Sequence, residues 1–140
     1  KIRCLYVLKY AFLIRIEYIY LMAQHNQLGE KGEQLAVDYL LKNDYKIVTR
    51  NYRFLKAEVD VIAQKENVLI CVEVKTRSTI DFGNPQDFIN PKKIKLLVSA
   101  MDNYVVENDL DVEVRFDIIA IVKQKNAFEI EHLKDAFLHF

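Results

Sequence analysis

The stretch AEVDVIAQKENVLICVEVKTR, residues 57–77, decides the fold. Val59 and Val61 flank Asp60, and Val72 and Val74 flank Glu73, so apolar and charged residues alternate. A period of two marks β-strands. The spacing predicts strands over about Glu58–Gln64 and Val68–Lys75, with Lys65, Glu66 and Asn67 as the polar turn of a hairpin. Glu73 and Lys75 then leave the same face of one strand, and the hairpin brings Asp60 up beside Glu73. Two carboxylates and an ammonium on otherwise apolar strands are costly unless something such as a divalent cation compensates them. The plainer reading is an ion pair between Glu73 and Lys75 on a wet sheet face, with Asp60 merely opposite. A second carboxylate on the preceding strand weighs against it.

Upstream, Gly29 and Gly32 precede a helix expected from about Gly32 to Asn43. Ala36, Val37, Leu40 and Leu41 recur on it at helical spacing, and Leu35 and Tyr39 widen the stripe. Glu33 lies one turn ahead of Ala36 and Val37, at the N-terminal edge of the buried face. By position alone it is a first-turn acid that favours the helix dipole. A strand from Tyr45 to Phe54 follows and carries the basic run TRNYRFLK.

Downstream, residues 78–90 (STIDFGNPQDFIN) read as a loop. Asn90 then caps a helix with Pro91 in its first position, and Ile94, Leu97, Val98, Met101, Tyr104 and Val105 stripe it to about Glu107. A strand over about Glu113–Lys123 is apolar on both faces and so belongs inside the sheet. Phe128–Ile130 is a short strand, and the tail HLKDAFLHF is expected to form a final helical turn. The order α-β-β-β-α-β-β predicts an α/β domain, a mixed central sheet flanked by helices.

At 140 residues the chain can bury a core without disulfides or zinc. It is 51% hydrophobic and 29% charged with three Gly and two Pro, which argues against long disordered stretches. Cys4 and Cys71 are too few for a disulfide scaffold, and Cys71 reads as a small buried side chain, which fits a reducing cytoplasm. Net charge is zero, yet the charges are segregated. Residues 42–95 are rich in Lys and Arg, whereas residues 102–113 hold Asp102, Glu107, Asp109, Asp111 and Glu113 with no base. One end can be basic and another acidic, although two ordinary solvated surfaces would give the same pattern.

Residues 1–21, KIRCLYVLKYAFLIRIEYIYL, differ from the rest. Lys9 and Arg15 break the apolar run, so neither a membrane-spanning helix nor a signal peptide fits. Met22-Ala23 looks like a natural start, so the segment reads as upstream sequence attached to a domain at 22–140. An amphipathic helix packing on the domain or a partner, and a membrane-surface anchor, are the other two readings. Without the segment the domain is slightly acidic.

Two carboxylates, a strand carbonyl and waters suit a hard cation such as Mg²⁺ or Mn²⁺. Asp60 and Glu73 are the expected direct ligands, with the Val74 carbonyl third and Glu33 orienting a water or joining a second ion. Lys75 would stand beside the metal-bound water or hold charge building on a phosphate oxygen. A phosphodiester fits, because its hydrolysis needs a positioned nucleophile and charge neutralisation. Arg77 shares the parity of Glu73 and Lys75, and Lys92 and Lys93 stand at a helix start, where amide N–H groups favour anions. With Arg50 and Arg53 of the basic run they are the expected phosphate contacts. No Gly-rich phosphate loop of P-loop type, zinc-type Cys/His spacing or Ser-centred elbow competes. His25, His132 and His139 read as incidental.

Asp60 followed by Glu73-Val74-Lys75 after a hairpin resembles the motif of the PD-(D/E)XK nuclease superfamily. GEKGEQLAVDYL (29–40), RNYR (50–53), AEVDVIA (57–63), VEVKTR (72–77) and RFDIIAI (115–121) together resemble the YraN family of small bacterial endonuclease-like proteins. Each motif alone is weak; five in order over roughly residues 28–122 are specific. The resemblance implies a restriction endonuclease-like core, similar in fold to archaeal Holliday-junction resolvases, and a site of Glu33, Asp60, Glu73 and Lys75. One position departs: the family usually has glycine where this chain has Ala57, and alanine tolerates fewer backbone angles. Asp117, also within the motifs, reads as structural, pairing with Arg115 or a buried amide.

The expected function is a metal-dependent DNA endonuclease, acting on double-stranded or branched intermediates of repair or recombination, with a homodimer or partner adding affinity. The alternatives are a non-catalytic nucleic-acid-binding module of the same fold and an adaptor that uses the N-terminal segment.

Overall fold

The computed structural model of the protein describes residues 2–78 and 89–137, with side chains from residue 13 onward. The elements are α1 (Ile2–Lys42), β1 (Lys46–Phe54), β2 (Ala57–Lys65), β3 (Val68–Arg77), α2 (Pro91–Glu107), β4 (Glu113–Gln124) and β5 (Ala127–Leu133). This is the expected order. Residues up to Lys31 form one compact unit and residues from Gly32 onward another. The first unit is helical, and Leu13, Ile14, Ile16, Tyr18, Ile19, Tyr20, Leu21 and Met22 are exposed on it. Among the described residues no helix is long and apolar enough to cross a membrane.

In the second unit five strands make one mixed sheet in the order β1-β2-β3-β4-β5. β3 and β4 run parallel, and the other neighbouring pairs are antiparallel. A parallel pair needs a crossover, which the connection containing α2 supplies. β4 is an interior strand, as its apolar run predicts, and β3 lies at the centre.

Alternation along the strands divides the core in two. Leu97, Ala100 and Met101 of α2 pack with Ile62, Leu69, Cys71, Phe116 and Ile118. Ala36, Val37 and Leu40 of α1 pack with Val61, Ala63, Ile70, Val72, Ile119 and Ile121. A mixed sheet with a helix on either face is the result.

The structure departs from expectation in several places. Gly29 and Gly32 lie inside α1 rather than ahead of it. A glycine inside a helix costs only about 1 kcal/mol relative to alanine, so two of them do not stop one. Gly32 also has a packing reason: a Cβ there would stand 1.8 Å from Thr76 Oγ1 on β3. β3 runs on to Arg77, two residues beyond the expected end. β5 takes in His132 and Leu133, and Lys134–Phe137 form turns and a bend rather than the expected helical turn. Of the expected 78–90 loop, residues 79–88 lie outside the described residues.

A further departure concerns Asp60. Strict alternation would put Val59 and Val61 on one face, yet Val59 joins the α2 core and Val61 the α1 core. The β1–β2 register runs through Arg50–Val61 and then Tyr52–Val59. Between them, Asn51 adopts a left-handed φ of 52°. This conformation twists the ribbon, and Asp60 sits at the twist. Ala57, by contrast, occupies an ordinary paired position opposite Phe54, so alanine suffices there.

Candidate active site

The β2–β3 hairpin sets the site. Lys65 pairs with Val68, Gln64 with Leu69, and so on to Val61 with Val72. Glu66 makes the two-residue turn possible by adopting a φ of 54°. Continuing that register one step places Asp60 opposite Glu73. Asp60 Oδ2 accepts the Val74 main-chain N–H at 2.7 Å. A carboxylate thus takes a strand amide just past the last paired residues.

Glu73 is 2% exposed, one of two buried charged residues among the described residues. The reading of an ion pair on a wet face therefore fails. Lys75 Nζ donates to Glu73 Oε1 at 2.6 Å, as shared strand parity predicts. Lys93 Nζ, from the first turn of α2, lies 3.3 Å from Glu73 Oε2 and donates to the Glu58 carbonyl at 3.3 Å. The Lys93–Oε2 approach is an ion contact without hydrogen-bond geometry, because Glu73 Oε2 is buried with no hydrogen-bond partner.

The electrostatics follow from this crowding. Burial, and then the Glu73 charge, push the Asp60 carboxyl up to about 7. The Val74 amide and Lys93 pull it down, and Glu33 pushes it up. The charge of Glu33 thus acts on Asp60 from α1. Asp60, Glu73, Lys75 and Lys93, from β2, β3 and α2, meet at one spot, and Glu33 acts on it only through its charge. Among the described residues no three His, Cys, Asp or Glu side chains are gathered into a ready metal cage. The carboxylates are instead occupied by the lysines and the Val74 amide.

The chemistry of the donors nonetheless suits a hard cation. Glu73 Oε2 is an orphaned buried acceptor, and an unsatisfied buried oxygen is expensive. Asp60 keeps Oδ1 beyond the oxygen that takes the Val74 amide. Carboxylate oxygens on a partly buried wall are the ligands that Mg²⁺ or Mn²⁺ takes.

Of the expected phosphate contacts, Arg50, Arg53, Arg77 and Lys92 are exposed. Arg50 donates to Gln34 of α1 at 2.9 Å, and Arg53 pairs with Glu58 at 3.1 Å. Lys93 differs: its amine faces Glu73. Sequence alone placed it at a helix start without revealing this contact.

A second polar cluster lies in the α1-side core. Asp117, fully buried, accepts from Arg115 through both oxygens at 2.8 Å and from the Asp135 amide at 2.9 Å. His132 Nε2 stands 2.8 Å from Asp117 Oδ2, and the ring packs edge-on against Tyr39 and tilted against Tyr45. Asp117 is structural, as read. His132 is not incidental, because it is a buried member of this cluster. Burial raises the Asp117 carboxyl, but the bonds from His132, Arg115 and Asp135 outweigh it and hold the group below its ordinary value.

Residues 32–121 match the model of a family described as uncharacterised protein family UPF0102. The chain belongs to the UPF0102 family. This is the YraN family that its motifs resemble. A UPF0102 protein of Flavobacterium psychrophilum is 60% identical over 119 residues, covering 85% of this chain and all of the relative. A UPF0102 protein of Christiangramia forsetii is 61% identical over 119 residues with the same coverage. One from Bacteroides fragilis is 50% identical over 116 residues, 83% of this chain and 96% of that protein.

Proposed function

We propose that this UPF0102 protein is a metal-dependent endonuclease that hydrolyses DNA phosphodiester bonds, with a core of the PD-(D/E)XK type. The observation that carries the reading is a buried Glu73 with one unbonded oxygen, flanked by Asp60 and hydrogen-bonded to Lys75. Structural ion pairs are usually made at the surface. A buried acid with one unbonded oxygen, beside a second acid pushed up to about 7, is the kind of perturbed group found at catalytic sites.

Asp60 and Glu73 would hold Mg²⁺ or Mn²⁺, and Glu33 would orient a water or contribute to a second ion. The bound cation would supply charge neutralisation and a more acidic water. Lys75 Nζ, an ammonium tethered to Glu73 Oε1, would donate to a phosphate oxygen or, after giving up one of its own protons, would take one from the attacking water. Asp60, held by the Val74 amide, fixes the distance between the two strands that carry the acids. Exposed Arg50, Arg53, Arg77 and Lys92 would contact the flanking phosphates, which position DNA without reading its sequence.

One observation favours a second reading, a nucleic-acid-binding module without turnover: both oxygens of Glu73 already face a lysine. The deciding experiment is cleavage of linear, flapped and four-way junction DNA with and without Mn²⁺. Mn²⁺-dependent nicking of any of them, lost in Asp60→Asn, supports the nuclease. Binding without nicking on every substrate supports the module.

A further inference from the structure

The two lysines on Glu73 are not equivalent. Lys75 leaves the same strand two residues later and makes a short hydrogen bond of 2.6 Å to Oε1. Lys93 reaches across from α2 and divides its amine between Glu73 Oε2 and the Glu58 carbonyl, each 3.3 Å away. Charge-assisted N–H···O bonds ordinarily close to about 2.7–2.9 Å, so both contacts are long. Oε2 is left buried without a hydrogen bond. The Lys93 side chain is 31% exposed while that of Glu73 is 3% exposed, so the lysine reaches the surface where the carboxylate does not.

We propose that Lys93 is an exchangeable internal counter-cation of Glu73, which neutralises the buried acid until a divalent cation takes Oε2 and expels the amine. The inference rests on the metal-site reading above and adds to it the competitor that a cation must displace. A +2 ion and an ammonium crowded on one carboxylate repel each other, and the ion of higher charge holds the buried oxygen more strongly. Lys75, bonded to the other oxygen, stays in place. Lys93 therefore weakens metal binding, although it stands among the site's residues.

The test titrates Mn²⁺ into chelator-treated full-length protein and follows both the melting temperature and the heat of binding. Three proteins are compared: wild type, Lys93→Met and Lys95→Met, whose lysine is exposed on the same helix. Lys93→Met is expected to melt lower than wild type without metal, since Glu73 loses a partner. It should then bind Mn²⁺ about tenfold more tightly, with a larger rise in melting temperature. Lys95→Met should track wild type. Equal or weaker Mn²⁺ binding by Lys93→Met overturns the exchange and leaves the metal site standing. No response to Mn²⁺ in any of the three overturns the metal site and the exchange together. Should Lys93→Met be too unstable to purify, Lys93→Gln, which keeps a donor for the Glu58 carbonyl, is read the same way.

Discussion

The Asp60 carboxylate holds the main-chain amide of Val74 at 2.7 Å, one residue beyond Glu73. The β2–β3 pairing ends at Val61–Val72, so this side-chain bond stands where a main-chain bond would otherwise continue the ladder. Asp60 thus ties two strands together and places its charge beside the buried Glu73. The arrangement concentrates negative charge that Lys75 and Lys93 offset.

Asp60→Asn should therefore stabilise the metal-free protein at alkaline pH. An asparagine Oδ1 can still accept the Val74 amide, but it carries no charge. Burial raises the wild-type carboxyl from its ordinary value of 3.8 to about 7, so folding favours its protonated form. Its contribution is fully present at low pH and is lost as pH rises through about 7. Thermal melts in chelator should show the variant ahead above that pH and level with wild type near pH 4. A variant less stable across the whole range would show that the charge on Asp60 is not a liability.

Lys75→Ala should separate binding from chemistry. Mn²⁺ should still raise its melting temperature, because Asp60 and Glu73 remain. Cleavage of the best DNA substrate should fall by about 10²–10⁴, the range for losing a positioned proton donor or acceptor. Cleavage at the wild-type rate would remove Lys75 from the reaction.

Gly32→Ala tests how closely α1 must approach β3. The new Cβ would stand 1.8 Å from Thr76 Oγ1 and 3.0 Å from Thr76 Cβ, and a β-branched threonine in a strand has little freedom to turn aside. Overpacking of this kind costs about 1–3 kcal/mol. Denaturant unfolding should show that loss and its recovery in Gly32→Ala with Thr76→Ala. Because Glu33 is the next residue, the single variant should also bind Mn²⁺ less well.

Asp117→Asn should cost about 3 kcal/mol at neutral pH, since Arg115 and His132 lose the buried acid they share. The wild-type carboxyl is held below 3.8, so its contribution is present above that value and is lost as pH falls through the lower folded one. The gap between variant and wild type should narrow in strong acid. Cleavage and Mn²⁺ binding should survive in the folded fraction, because Asp117 belongs to the other polar cluster.

Much of this arrangement was legible in the chain. The hairpin that brings Asp60 beside Glu73 follows from the polar turn, but its register does not: Lys65 pairs with Val68 across the two-residue turn Glu66-Asn67, whereas a three-residue turn over Lys65–Asn67 would have set Asp60 opposite Val72. Lys75 beside Glu73 follows from parity alone. The N-cap of α2 was equally local, and Asn90 Oδ1 accepts the Lys93 amide at 2.8 Å. Contacts that depend on packing between distant elements were not legible. Lys93 meets Glu73 only because α2 docks on that face of the sheet. His132 meets Asp117 only through the β4–β5 register, which places it opposite Ile119. The twist at Asp60 escaped for a related reason, because Asn51, on the neighbouring strand, carries the left-handed backbone.

The most direct test is a crystal grown with Mn²⁺ and measured for anomalous scattering at the manganese edge. A peak bonded to carboxylate oxygens of both Asp60 and Glu73 is expected, at roughly the 2.0–2.2 Å usual for small hard divalent ions. A fully soaked crystal with no peak between these two residues, or with Mn²⁺ bound only elsewhere, would contradict it.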